Sequence, residues 1–137
     1  MANDNTFAGA NQVRFVDGEY TAQDRTGGRD DVDLFVFRLE AGQTVTAVTD
    51  NGDDGDPDTF LALFDSSGNV LAQDDDAGEN FESLLTYTAD SGGTYYIGVS
   101  SFANFPTGNI APRGPFAPEY SGDGGSNGPY TLDLLIA

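Results

Sequence analysis

Cysteine, histidine, lysine and tryptophan are all missing from this chain of 137 residues. Without cysteine there is no disulfide framework and no thiolate metal site. Without histidine as well, most transition-metal sites and most nucleophile–base catalytic arrangements fall away. Hard oxygen ligands are nearly all that remains for a metal. The absence of tryptophan weakens any site that would hold sugars by stacking. The absence of lysine leaves 5 basic residues against 23 acids and a formal net charge of −18. Such a field repels phosphate backbones and anionic bilayers, so nucleic acid and acidic membrane surfaces are not expected as partners, and neither is membrane insertion. No apolar run approaches the ~20 residues of a membrane-spanning helix. The opening Met1-Ala2-Asn3-Asp4 has neither the basic nor the apolar part of a signal peptide. If the protein is exported, the signal has been removed and Met1 is an expression start.

What is present is a β-protein. The 10 Phe and 6 Tyr are spread along the length, so a packed core is available. A chain of this size fits one domain, residues 1–137, and can bury roughly two-thirds of its unfolded surface. Short alternating runs rich in Val, Thr, Phe and Tyr recur between Gly/Asn/Asp turns, the pattern of an antiparallel β-sandwich. Strands are expected near Val13–Phe15, Tyr20–Ala22, Leu34–Leu39, Thr44–Thr49, Phe60–Phe64, Val70–Gln73, Leu84–Thr88, Tyr95–Ser100 and Tyr130–Leu135. Glu40-Ala41-Gly42-Gln43, Ser66-Ser67-Gly68-Asn69 and Ser91-Gly92-Gly93 are the turns that join neighbours. From about 102 to 128 the rhythm stops, and four of the six prolines fall in that stretch. A loop of that length is functional or mobile.

The acids are not evenly spread. "DDVDLFVF" sets Asp30, Asp31 and Asp33 at the mouth of a strand that buries Phe35 and Phe37 on one face. Like charges so close are costly unless water screens them or a cation sits among them. In the hairpin turning at Ser66–Asn69, residue 65 lies opposite residue 70 and paired numbers sum to about 135. That places Asp58 opposite Asp76-Ala77, at the open end. Asp53, Asp54, Asp56 and Asp58 of one run meet Asp74, Asp75 and Asp76 of the other there. Calcium takes six to eight oxygens from carboxylates, carbonyls and water, which clustered Asp near Gly55 and Gly78 can supply. Asp54, Asp56 and Asp58 match the first ligand positions of an EF-hand loop, but the required glycine position holds Thr59 and the twelfth holds Asp65. The spacing is a generic calcium-loop signal. Turn-favouring aspartates with no ion, on a surface adapted to high salt, are the competing explanation.

Four ordered blocks, "DDVDLFVFRLEAGQTVT", "DTFLALFDSSGNVLAQDDD", "LLTYTADSGGTYYIGVS" and the terminal "GPYTLDL", resemble the bacterial pre-peptidase C-terminal domain family. That family includes the collagen-binding domains of clostridial collagenases. The resemblance implies an all-β, antiparallel, jelly-roll-like β-sandwich, export to the cell surface or medium, and an accessory module that is not an enzyme. It also implies a calcium site in which Asn3 and Asp4 join Asp30 and Asp33. The glutamates that the family pattern expects just upstream of that pair are missing, and residues 102–128 are inserted before the last strand.

The function expected is therefore a secreted, calcium-binding module for adhesion or recognition, its partner an extracellular protein or polysaccharide. Phe102, Phe105, Phe116 and Tyr120 are the candidate contact residues on the long loop, or else they pin that loop to the sandwich. A calcium-dependent subunit that assembles with copies of itself is the first alternative, and an acidic domain adapted to salt without an ion site is the second. Paired carboxylates could in principle cleave glycosides, but acids distributed over turns point to no cleft.

Overall fold

A computed structural model of the chain describes residues 10–26, 32–50, 59–74, 83–101 and 128–137. Nine strands follow one another: β1 Asn11–Gln12, β2 Glu19–Thr26, β3 Asp33–Leu39, β4 Thr44–Asp50, β5 Thr59–Asp65, β6 Val70–Asp74, β7 Leu84–Thr88, β8 Gly93–Ser101 and β9 Gly128–Ile136. They form a five-stranded sheet in the order β1-β3-β8-β5-β6 and a four-stranded sheet in the order β2-β9-β4-β7. From β2 onward the chain alternates between the sheets except at the β5–β6 hairpin and, as a result, interleaves them as a jelly roll does.

The strands form because their apolar residues alternate, and the alternating set faces inward. Phe35, Phe37 and Leu39 of β3, Val45 and Ala47 of β4, Ile97 and Val99 of β8, and Leu132 and Leu134 of β9 build one buried core between the sheets. Phe37 stacks on Tyr95 at 6.4 Å between ring centres, and Phe15 meets Phe37 edge-on at 6.1 Å. β5 behaves differently. Its run "FLALF" is buried on both faces: Leu61 and Leu63 belong to the core between the sheets. Phe60, Ala62 and Phe64 join Val32 and Leu34 in a second cluster on the outer face of the first sheet. Continuous apolar runs in strands carry that meaning.

Turn chemistry fixes the ends. Asp17 and Gly18 both have positive φ, 54° and 79°, as a two-residue type I′ turn demands, and they connect Val16 to Glu19. The Asp65 carboxylate accepts from the backbone N–H groups of Ser67 and Asn69 at 2.9 Å each, and Gly68 supplies the positive φ that closes the β5–β6 turn.

Two expectations need correction. Val13–Phe15 is not a strand. β1 ends at Gln12 and pairs with β3 in parallel, the one parallel pair among these strands. After Val13 N–H donates to the Val36 carbonyl, the chain leaves the ladder, although Val13 and Phe15 still half-bury against the core. Alternating burial survived there without a partner strand. In the hairpin, Phe64 pairs with Val70, so residue 65 does not face residue 70; a bulge between Leu63 and Phe64 absorbs the difference. Beyond the bulge, Leu63 with Ala72, Ala62 with Gln73 and Leu61 with Asp74 follow the expected sum of 135.

Candidate functional site

The register makes the two ends of the sandwich unlike. β2, β4, β6 and β8 end at one pole, and β3, β5, β7 and β9 begin there, since Asp33 pairs with Val99, Thr59 with Ser101, Leu61 with Asp74, Val48 with Leu84, and Asp50 with Thr131. The opposite pole carries the short turns at residues 17–18, 40–43, 66–69 and 89–93. Residues 27–31, 51–58, 75–82 and 102–127 connect strands at the first pole, and their sequences hold twelve of the 23 acids. The same four stretches hold only two basic residues, Arg29 and Arg113.

Where those connections begin and end, several inward-facing residues of the sandwich are polar. Asp33, Thr49, Thr59 and Ser83 are all buried. Thr49 Oγ1 lies 2.6 Å from Thr59 Oγ1, which lies 3.1 Å from Ser83 Oγ. Ser83 Oγ–H donates to the Thr59 carbonyl at 2.7 Å, and Ser83 N–H donates to Thr49 Oγ1 at 2.9 Å. Each hydroxyl has one proton, so the direction of the chain is settled. Ser83 has spent its proton on the carbonyl; Thr59 must donate to Ser83, and Thr49 to Thr59. This knot joins the end of β4, the start of β5 and the residue before β7, hence both sheets.

Two expected metal ligands lie within the described residues, and both work between the sheets. Asp33 is 3% exposed, and its Oδ2 accepts from the Tyr130 hydroxyl of β9 at 2.5 Å. Asp74 Oδ2 accepts from Leu84 N–H of β7 at 2.8 Å. The two aspartates share one row across four strands, Asp33–Val99–Leu61–Asp74. At ~4.8 Å per strand step they stand roughly 14 Å apart. Two oxygens on one calcium are no more than about 5 Å apart. Asp33 and Asp74 therefore cannot hold the same ion. Among the described residues no three acidic groups come together around a common point. Asn3, Asp4, Asp30, Asp54, Asp56, Asp58, Asp75 and Asp76 lie outside the described residues, as do Phe102, Phe105, Phe116 and Tyr120. The hydroxyl knot was not anticipated from the sequence; the signal available was a Thr or Ser at the inward position next to each of two acidic runs.

Strand order and register together define a β-sandwich domain of jelly-roll topology. The chain belongs to the bacterial pre-peptidase C-terminal domain family, whose sequence profile matches residues 31–101, and members of that family are non-catalytic modules. It is 40% identical over 73 residues, 52% of its length, to a probable subtilase-type serine protease of Deinococcus radiodurans, of which it spans only 10%. Among solved structures, it is similar to the pre-peptidase C-terminal domain of a Bacillus anthracis collagenase. That likeness has a TM-score of 0.57 and 17% identity, covering 93% of this chain and 94% of the other. It is also similar to PliG of Aeromonas hydrophila, a periplasmic inhibitor of g-type lysozyme. There the TM-score is 0.60 and the identity 16%, over 93% of this chain and 96% of the other. At these identities the two structures share the fold with this chain. No helix among the described residues is long and apolar enough to cross a membrane.

Proposed function

We propose that this chain is an exported recognition module that binds a protein partner and is stabilised by calcium at its acidic pole. The observation that carries the calcium reading is topological. Four connections holding twelve of the 23 acids leave from one end of the sandwich, while two basic residues accompany them. Repulsion among those carboxylates opposes folding unless cations neutralise it. The ends of the 51–58 stretch are near those of the 75–82 stretch, because the Thr49–Thr59–Ser83 knot ties them. That supports a site drawing on Asp54, Asp56, Asp58, Asp75 and Asp76, with Asp74 at its margin. The roughly 14 Å between Asp33 and Asp74 supports a second, separate site for Asp33 with Asp30, Asn3 and Asp4.

The protein-binding reading and the extracellular location rest on family membership, on the match to a probable subtilase-type protease, and on the fold shared with a periplasmic lysozyme inhibitor. Calorimetric titration with calcium, paired with melting in calcium and in chelator at low ionic strength, tests the ion. A native-state ligand at a hundredfold excess over its Kd stabilises by about 2.7 kcal/mol. Asp58→Asn with Asp75→Asn should weaken calcium binding, and Asp17→Asn at the opposite pole should not. Equal stabilisation by sodium chloride would identify diffuse screening instead. Sedimentation in calcium and in chelator would reveal assembly between copies.

A further inference from the structure

The outer face of the second sheet is built differently from the rest of the surface. The outer face of the first sheet carries a buried apolar cluster, but this one is open. Leu135 and Leu84, two of the three large hydrophobic side chains that are exposed among the described residues, stand on it at 41% and 38% exposure. Val48 lies between them: it is directly opposite Leu84 on β7, and Leu135 is diagonal to it on β9. Across three strands they make one apolar diagonal. Beside it is a shallow depression of about 290 Å³, lined by Glu19, Thr21, Val48, Asp133 and Leu135 among others. Asp133 Oδ1 accepts from the Thr21 hydroxyl at 2.7 Å, and neither its Oδ2 nor the Glu19 carboxylate has a partner among the described residues.

We infer that this face is a docking surface for a protein that presents lysine or arginine beside aliphatic side chains. The charge selects the partner. Glu19 and Asp133 flank an apolar floor, so a long cationic side chain can lay its methylenes on Leu135 and Val48 and bring its head to the two carboxylates. A second copy of this chain would set those acids against their own equivalents, in a chain already at −18. The outward residues of the four strands include no aromatic on which a sugar could stack, and the acids repel anionic polymers. The inference extends the reading of a protein-binding module and is independent of calcium.

The test uses the whole chain in chelator, titrated with the acetylated, amidated peptide Lys-Leu-Lys-Leu-Lys and followed by backbone amide chemical shifts. The expected shifts centre on Thr21, Val48, Leu84 and Leu135. Glu19→Gln with Asp133→Asn should weaken binding about fivefold, the order expected for losing partly exposed charge pairs, and Leu135→Ser should weaken it comparably. Glu40→Gln at the turn pole should change nothing, and the amide spectrum of each variant reports its folding directly. Shifts confined to residues next to the acidic connections would overturn the inference. So would equal weakening by Glu40→Gln, or shifts produced by concentrating the protein alone. Failure here with calcium binding intact would remove this surface and leave the calcium reading standing.

Discussion

The hydroxyl of Tyr130 on β9 donates to Asp33 Oδ2 on β3 across the gap between the two sheets, with both side chains buried. The pair is separated by 97 positions in sequence, so it forms only when the first and last thirds of the sandwich close together. Tyr130→Phe keeps the ring in the core and removes the donor. A buried acceptor that loses a partner costs about 1–3 kcal/mol, more when the group is charged. Asp33→Asn retains an oxygen acceptor and should cost less. Urea unfolding of both variants checks the order. If Asp33 also ligates calcium, Asp33→Asn will abolish part of the calcium response and Tyr130→Phe will not.

The hydroxyl chain through Thr49, Thr59 and Ser83 makes a second prediction at the same pole. Thr59→Val preserves shape but removes the central hydroxyl. Thr49 and Ser83 then each lose the hydrogen bond they make to that hydroxyl inside a buried site. The expected loss is about 1–3 kcal/mol. Thr46→Val, on the open outer face of the second sheet, should stay within about 0.5 kcal/mol. Equal effects in denaturant titrations would show that the knot adds nothing beyond packing.

The strand frame was legible because period-two alternation and turn residues are local signals. β7 begins and ends where its alternation does, and β3 to β6 differ from their expected bounds by a residue at most at either end. The inward direction of Asp33 was legible too, since it shares the face of Phe35 and Phe37. Its partner was not, because nothing local to Asp33 indicates a tyrosine on the last strand. Residues 13–15 failed in the opposite way. Their alternation is real and half-buries Val13 and Phe15, but the chain turns away from β3 after Val36, although β3 itself runs on to Leu39, and nothing local signals that departure. As for the site, clustering of acids in sequence announced an acidic pole. Only the registers revealed that Asp33 and Asp74 stand in one row on opposite edges of a four-strand span.

β5 yields a prediction about the outer face of the first sheet. Phe64 is fully buried on the side that points away from the core between the sheets. Were that face open, Phe64→Ala would cost little. Buried as it is, the loss should be about 3–5 kcal/mol, similar in size to the 2–5 kcal/mol expected for Leu63→Ala on the inner side. Denaturant midpoints for the two variants measure this. A loss below about 1 kcal/mol for Phe64→Ala would mean that the second cluster opens readily in solution.

Alkali offers the last test, and its sign follows from three tyrosines. Tyr96, which packs against the outer cluster, has its phenol pKa raised by burial. Burial also raises that of Tyr20, with the charge of Asp24 adding to it. For Tyr87 burial again comes first, then Asp90, Tyr95 and Asp65. In each case the folded protein holds its proton to higher pH than the unfolded chain, whose phenols titrate near 10.0. The stability from these groups is therefore complete below that pH and is lost as pH rises through the folded values. Unfolding free energy should be insensitive to these groups around neutrality and fall steadily above pH 10. Tyr96→Phe should make the fall shallower without reversing it, because Tyr20 and Tyr87 continue to titrate. An unchanged slope in Tyr96→Phe, measured by urea unfolding across that range, would show that the phenol of Tyr96 reaches water as freely in the folded state as in the unfolded one.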